Sequence, residues 1–190
     1  MASGSEPSDV LARVVAALDE AEVPYMLSGS FASSLFGSPR ATQDIDIIIH
    51  PTLGSLERLL VHFPSDAYYV NRDAAREAYG LEGMFNLIDL ATGWKIDFIL
   101  RKSRSFSREE FDRRRQVETS GLRIYVASPE DVVVAKLEWA KLGESERQLR
   151  DVAGMLRGQR DTLDFEYVQR WVAGLQLENQ WEAARKLVAK

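Results

Sequence analysis

Cysteine is absent from this 190-residue chain, which excludes a disulfide scaffold, a thiol nucleophile and any zinc or iron–sulfur site with cysteine ligands. Histidine is scarce: His50 and His62 are the only two. They are too few for a histidine-based zinc site and poor material for a Ser-His-Asp triad, so both are expected to be structural. No apolar run approaches the roughly 20 residues that a membrane-spanning helix requires. The opening MASGSEPSDV lacks the basic start and apolar core of a secretory signal. A cytoplasmic protein without a membrane partner is the expectation. There is no Gly-Lys-Ser/Thr phosphate loop, no dinucleotide fingerprint, no internal repeat and no low-complexity linker.

What is present is ordinary globular material: 45% apolar residues, 28% charged, and a formal net charge of −5. A chain of this length buries roughly 70% of its unfolded surface and needs neither a disulfide nor a structural metal to fold. Mild acidity argues against wholesale coating of nucleic acid but leaves room for a local basic patch.

The apolar periodicity predicts a helix over 8–21, started by Ser8 and stopped by Pro24. A short strand, Tyr25 to Leu27, then runs into the small-residue stretch from Ser28 to Ser34, which suits a tight turn entering a short helix that ends near Gly37. Asp44 to Ile49 is a β-branched strand. Helices follow over Leu56 to Val61 and Asp73 to Tyr79. Met84 to Leu90 and Trp94 to Leu100 read as a hairpin around Ala91-Thr92-Gly93, and Leu122 to Val126 as another strand. From Ser128 onward the pattern is helical, over roughly 129–141, 145–157, 164–174 and 178–188, opened by a Ser N-cap, Pro129 and an acidic first turn. The fold class is therefore α+β: a mixed sheet with covering helices over 1–127, then a helical section over 128–190 packed on that core. Tryptophans 94, 139, 171 and 181 are most simply core or interface anchors.

Three carboxylates carry the chemical signal, because each interrupts an apolar β run. Alternation puts Asp44 and Asp46 on one strand face about 6.6 Å apart, with Ile45, Ile47 and Ile49 on the other. Lys95-Ile96-Asp97-Phe98-Ile99 repeats the pattern, and if the two strands are neighbours Asp97 lies about 5 Å away on the shared face. Carboxylates that close repel by several kcal/mol per pair at an effective dielectric near 20, about the cost of a site that wants a cation. An all-oxygen site suits magnesium, and two ions about 4 Å apart suit phosphoryl-type transfer. The plain alternative is that the aspartates line the wet side of half-exposed strands. Ile48 shares the face of Asp44 and Asp46 and weighs against that alternative.

Gly29 and Ser30 end a strand and open a helix, where free backbone amides can accept phosphate. Together with Asp44-Ile45-Asp46 thirteen intervening residues later, they resemble the signature of the nucleotidyltransferase superfamily related to DNA polymerase beta. Within it the chain, from about Tyr25 to its end, is similar to the AbiEii-like bacterial nucleotidyltransferases. Arg40 and Thr42 before Asp44-Ile45-Asp46 match that family's Arg-x-Thr-x-Asp-hydrophobic-Asp stretch, Lys95-Ile96-Asp97-Phe98 its second motif, and Lys136 with Arg150-Asp151 its third. One departure is Gly154, where relatives often carry an acid three positions after the Asp. The resemblance implies a nucleotidyltransferase core over 1–127 that moves a nucleoside monophosphate from an NTP to an acceptor hydroxyl, with Asp44, Asp46 and Asp97 as catalytic metal ligands for magnesium. It implies nucleotide contacts from Gly29, Ser30, Arg40, Thr42, Lys136 and Asp151, and a toxin-type role with a cognate antitoxin. An antibiotic adenylyltransferase and a non-catalytic nucleotide-binding regulator are the alternatives.

Two further features keep alternatives open. Lys136 falls on the apolar stripe of Val132, Val133 and Ala140, so its ammonium must find an anion, a triphosphate or a carboxylate such as Asp151, or snorkel to water. Between Arg101 and Arg123 eight basic residues face four acidic ones, either a docking patch for RNA or the solvated face of an amphipathic helix.

Overall fold

The computed structural model describes residues 7–37, 44–119, 121–143 and 145–188. Among them are seven strands, all in one mixed sheet of order β3-β4-β5-β2-β1-β7-β6, and nine helices. The fold is α+β. The chain divides into two compact units, Met1–Ser28 with Thr42–Val126, and Gly29–Ala41 with Ala127–Lys190.

The first unit holds the sheet: β1 (Tyr25–Leu27), β2 (Asp44–Ile49), β3 (Tyr68–Val70), β4 (Met84–Asp89), β5 (Lys95–Leu100), β6 (Arg115–Thr119) and β7 (Leu122–Val126). Pairs β2–β5 and β1–β7 are parallel and the others antiparallel. Its helices are α1 (Pro7–Glu20), α3 (Leu53–Val61), α4 (Arg72–Leu81) and α5 (Ser105–Asp112). Ile45, Ile47 and Ile49 are register partners of Ile96, Phe98 and Leu100, and all six are buried. Phe98 lies 6.2 Å from Phe63 and 5.1 Å from Phe85, ring centre to ring centre. Val10, Val14 and Leu18 of α1 and Leu56, Leu59 and Leu60 of α3 are buried as well, and α1 packs against α3.

The β4–β5 turn is held by one side chain. Asp89 Oδ1 accepts from the Ala91 and Thr92 amides and the Thr92 hydroxyl, each at 3.0 Å. Its other oxygen takes the Arg13 guanidinium, which ties α1 to the turn. Gly93 closes the loop at φ +75°, a conformation that suits glycine.

The second unit holds α2 (Gly29–Leu35), α6 (Pro129–Gly143), α7 (Glu146–Gly158), α8 (Phe165–Gly174) and α9 (Glu178–Val188). Helix α6 is buried on most of its circumference, from Pro129 through Ala140, and packs against α2, α7, α8 and α9. Its first turn is fastened by Ser128 Oγ donating to Asp131 Oδ2 at 2.6 Å and by the Tyr167 hydroxyl donating to Asp131 Oδ1.

Several boundaries differ from the sequence-based expectation. Helix α1 spans Pro7–Glu20 rather than 8–21. Helix α3 starts at Leu53, not Leu56, because Thr52 and Ser55 form a reciprocal capping box at 2.9 and 3.1 Å. Strand β3 is three residues long, too short to show a period, and β6 (Arg-Gln-Val-Glu-Thr) is polar because it edges the sheet. Helix α5 occupies part of the basic 101–123 stretch. Among the described residues no helix is long and apolar enough to cross a membrane.

Candidate active site

The face of the sheet opposite the isoleucine core carries an island of polar side chains. In parallel and antiparallel pairs alike, register partners project to the same side. Asn86 on β4 is partner to Asp97 on β5, and Asp97 to Asp46 on β2. The row extends to β1, where the Ser28 amide donates to the Asp46 carbonyl at 2.9 Å. One step along, Lys95 is partner to Asp44. Neighbouring strands are about 4.8 Å apart, so Asp46 and Asp97 stand side by side, with Asp44 two residues upstream on the same face.

Asp97 is only 6% exposed. Asn86 Nδ2 donates to its Oδ1, and Lys95 Nζ to its Oδ2 at 2.9 Å. The hydrogen bond from Lys95 to Asp97 is the largest influence on the lysine. Together with the charges of Asp97, Asp44 and Asp46 it holds the ammonium above the ordinary lysine range, against the opposing effect of partial burial. The positive charge that a cluster of aspartates demands is thus supplied in part by the chain itself. Sequence reasoning names Lys95 only as the head of the second motif, without a role, and misses Asn86. The role of Lys95 could have been found from its place two residues before Asp97 on the same strand face; Asn86 leaves no comparable signal.

The donor set fits magnesium in kind, since all three carboxylates offer hard oxygen ligands. Among the described residues, however, no three His, Asp or Glu side chains are gathered closely enough to form a ready metal-ligand group. Asp97 is turned toward Asn86 and Lys95 instead.

The remaining expected site residues are Gly29, Ser30, Arg40, Thr42, Lys136 and Asp151. Arg40 and Thr42 lie outside the described residues. Gly29 opens α2 at φ +58°, and Ser30, 7% exposed, accepts from the Ser33 and Ser34 hydroxyls through its carbonyl at 3.0 and 2.9 Å. Lys136 is buried in the second unit and donates to Asp151 Oδ2 at 2.8 Å and to Gln148 Oε1 at 3.0 Å. Of the partners that its apolar stripe calls for, the described residues supply the Asp151 carboxylate.

The basic stretch is partly spent on packing. Arg114 stacks 4.4 Å from the centre of the Phe111 ring and Arg101 lies 6.0 Å from it. Arg101 also approaches His50 at 3.0 Å. Burial, then the charges of Arg101 and Arg114, keep the His50 imidazole below its ordinary pKa, with Asp112 opposing.

No family model matches the chain, and no curated protein matches its sequence. Solved structures do match. ANT(2")-Ia, in complex with adenylyl-2"-tobramycin, is similar at TM-score 0.61 and 13% identity over 91% of this chain and 97% of that one. The lincosamide antibiotic adenylyltransferase LnuA, lincomycin-bound, is similar at 0.53 and 12% identity over 80% and 98%. An antigenic nucleotidyltransferase-like protein from Paracoccidioides brasiliensis is similar at 0.52 and 20% identity over 92% and 91%. The chain has the α+β fold of these nucleotidyltransferase structures.

Proposed function

We propose that the chain is a nucleotidyltransferase that moves a nucleoside monophosphate from an NTP to an acceptor hydroxyl. The observation that carries this reading is the row formed by Asp46 and Asp97 on adjacent parallel strands, with Asp44 on the same face. Asp44, Asp46 and Asp97 are the residues that would hold magnesium. Bound there, the ion supplies charge neutralisation for the triphosphate and acidifies the acceptor hydroxyl.

The acceptor hydroxyl gives its proton to solvent as its oxygen bonds to the α-phosphorus, the bond from that phosphorus to the bridging oxygen breaks, and pyrophosphate leaves with the electron pair. The chain's contribution is positioning and electrostatics rather than covalent chemistry. Asn86 and Lys95 fix the orientation of Asp97, and Lys95 adds a permanent positive charge beside the reacting phosphate. Gly29, Ser30, Arg40, Thr42, Lys136 and Asp151 keep the nucleotide-binding roles that the motif resemblance implies. RNA, protein and small alcohols are all candidate acceptors, and the toxin-type role with a cognate antitoxin belongs to the RNA and protein cases.

Antibiotic adenylylation is the second reading, favoured by the likeness to ANT(2")-Ia and LnuA. One experiment addresses both. The protein is mixed with magnesium and each labelled NTP over total cellular RNA, cell protein, and a panel of aminoglycosides and lincosamides. Transfer of label that is lost in Asp44→Ala plus Asp46→Ala supports the proposal, and the labelled fraction names the acceptor. Label that persists in the double variant, or no transfer with any pairing, refutes it.

A further inference from the structure

The second unit contains an open cavity of about 570 Å³, lined by Leu156 of α7, Phe165 of α8, Trp181, Arg185 and Val188 of α9, and by Arg160 and Asp161 from the α7–α8 connection. That volume lies within the roughly 300–1,000 Å³ of small-molecule sites. Its base is apolar: Leu156 and Trp181 are buried, and the Phe165 ring, 36% exposed, stands 6.5 Å from the indole. The two rings are inclined at 56°, which leaves the Phe165 ring partly uncovered beside the indole.

Among the described residues, the charges at this cavity have no partner in the fold. Nearby arginines are engaged, Arg157 with the Leu187 carbonyl at 2.9 Å and Arg150 with Glu146 at 2.7 Å. Arg160 and Arg185 are exposed, and among the described residues neither makes a hydrogen bond or ion pair with the protein. Two guanidinium groups against the single carboxylate of Asp161 leave the cavity with a net positive charge.

A neutral apolar ligand would cover the rings but leave both cations without a partner, and a cationic one would be repelled. An inorganic anion would meet the guanidinium groups and leave the aromatic wall wet. An anion attached to a flat ring satisfies both parts, because guanidinium pairs with planar oxyanions and aromatic faces pack on one another. We propose that this cavity binds a small planar aromatic anion, its ring covering Phe165 and Trp181 and its acidic group met by Arg160 and Arg185.

The probes are 2-naphthoate and its uncharged amide, 2-naphthamide, added to the full chain and followed by calorimetry and by the indole N–H resonances. Saturable one-to-one binding of naphthoate, at least about tenfold tighter than the amide, is expected. Arg160→Gln plus Arg185→Gln should remove that preference while leaving the circular dichroism spectrum unchanged, since both side chains are exposed. Phe165→Ala should weaken both probes together. Equal affinity for the two probes, a preference that survives the double variant, or no binding of either probe at millimolar concentration overturns the proposal. Because the readout is binding without nucleotide, its failure is separate from failure of the transferase reading.

Discussion

Asp46 and Asp97 are register partners on neighbouring parallel strands, so two acidic side chains from distant parts of the chain share one face of the sheet. Asn86, the next partner in the row, donates to Asp97 and has no evident role in the core. Asn86→Ala is therefore expected to leave stability nearly unchanged while loosening Asp97. Losses of roughly 10–100-fold in manganese affinity and in kcat/KM are the expected size for a group that orients a ligand. Full activity in a folded Asn86→Ala protein would remove Asn86 from the site.

Lys136 and Asp151 form a buried pair, with side chains 3% and 7% exposed. Breaking one half leaves the other charge short of a partner in a low-dielectric setting. Lys136→Met is expected to cost about 3–5 kcal/mol, and adding Asp151→Leu should recover much of it. Denaturant unfolding of the two single variants and the double variant measures the coupling. If Lys136 instead serves chiefly to neutralise a triphosphate, Lys136→Met will unfold at an unchanged midpoint while KM for the NTP rises.

Asp89 gives the fold a pH dependence at the acid end. Burial alone would raise its carboxyl pKa, but the bonds from Arg13 and Thr92 outweigh burial and lower it. A carboxyl held below its unfolded value of about 3.9 stabilises the fold fully above that pH, and the contribution is lost as pH falls through the lower folded value. Asp89→Asn should be less stable than the parent by about 1–3 kcal/mol at pH 7. The gap should close as the pH drops below about 4. A gap that is constant from pH 7 to pH 3 would show that the loss is one of shape rather than charge.

Gly158 ends α7 where the backbone of Gly37 passes close by. A Cβ there would stand 3.2 Å from the Gly37 Cα and 3.3 Å from the Phe36 carbonyl oxygen. Both are backbone atoms and cannot rotate away, so overpacking of about 1–3 kcal/mol should exceed the gain in helix propensity of up to about 1 kcal/mol. Gly158→Ala is expected to melt lower than the parent and Gly158→Val lower still. An unchanged melting temperature for both would show that this contact yields easily.

Some of these elements are legible from the chain alone because local backbone geometry imposes a period on side chains. Asp44-Ile45-Asp46-Ile47 alternates as a strand, with Ile45 and Ile47 buried and the aspartates half-buried, and Lys136 is buried in α6 as its apolar neighbours imply, although burial there extends well beyond one stripe. The hairpin from Met84 to Leu100 is announced by its Gly-containing loop. Arg-Gln-Val-Glu-Thr of β6 is not legible, because an edge strand needs no apolar run. Asn86 is not legible either, because its role comes from a partner across a strand pair.

The order of residues thus decided which side chains would face together within each element, since that depends only on a repeat of two or 3.6 residues. It also decided that three aspartates would sit where apolar groups were expected. Folding alone decided that β5 lies beside β2 and not elsewhere in the sheet, that Lys95 answers the aspartates, and that Lys136 meets Asp151. These pairings join residues far apart along the chain, and burial of the whole apolar surface selects them; no local window of sequence contains that information.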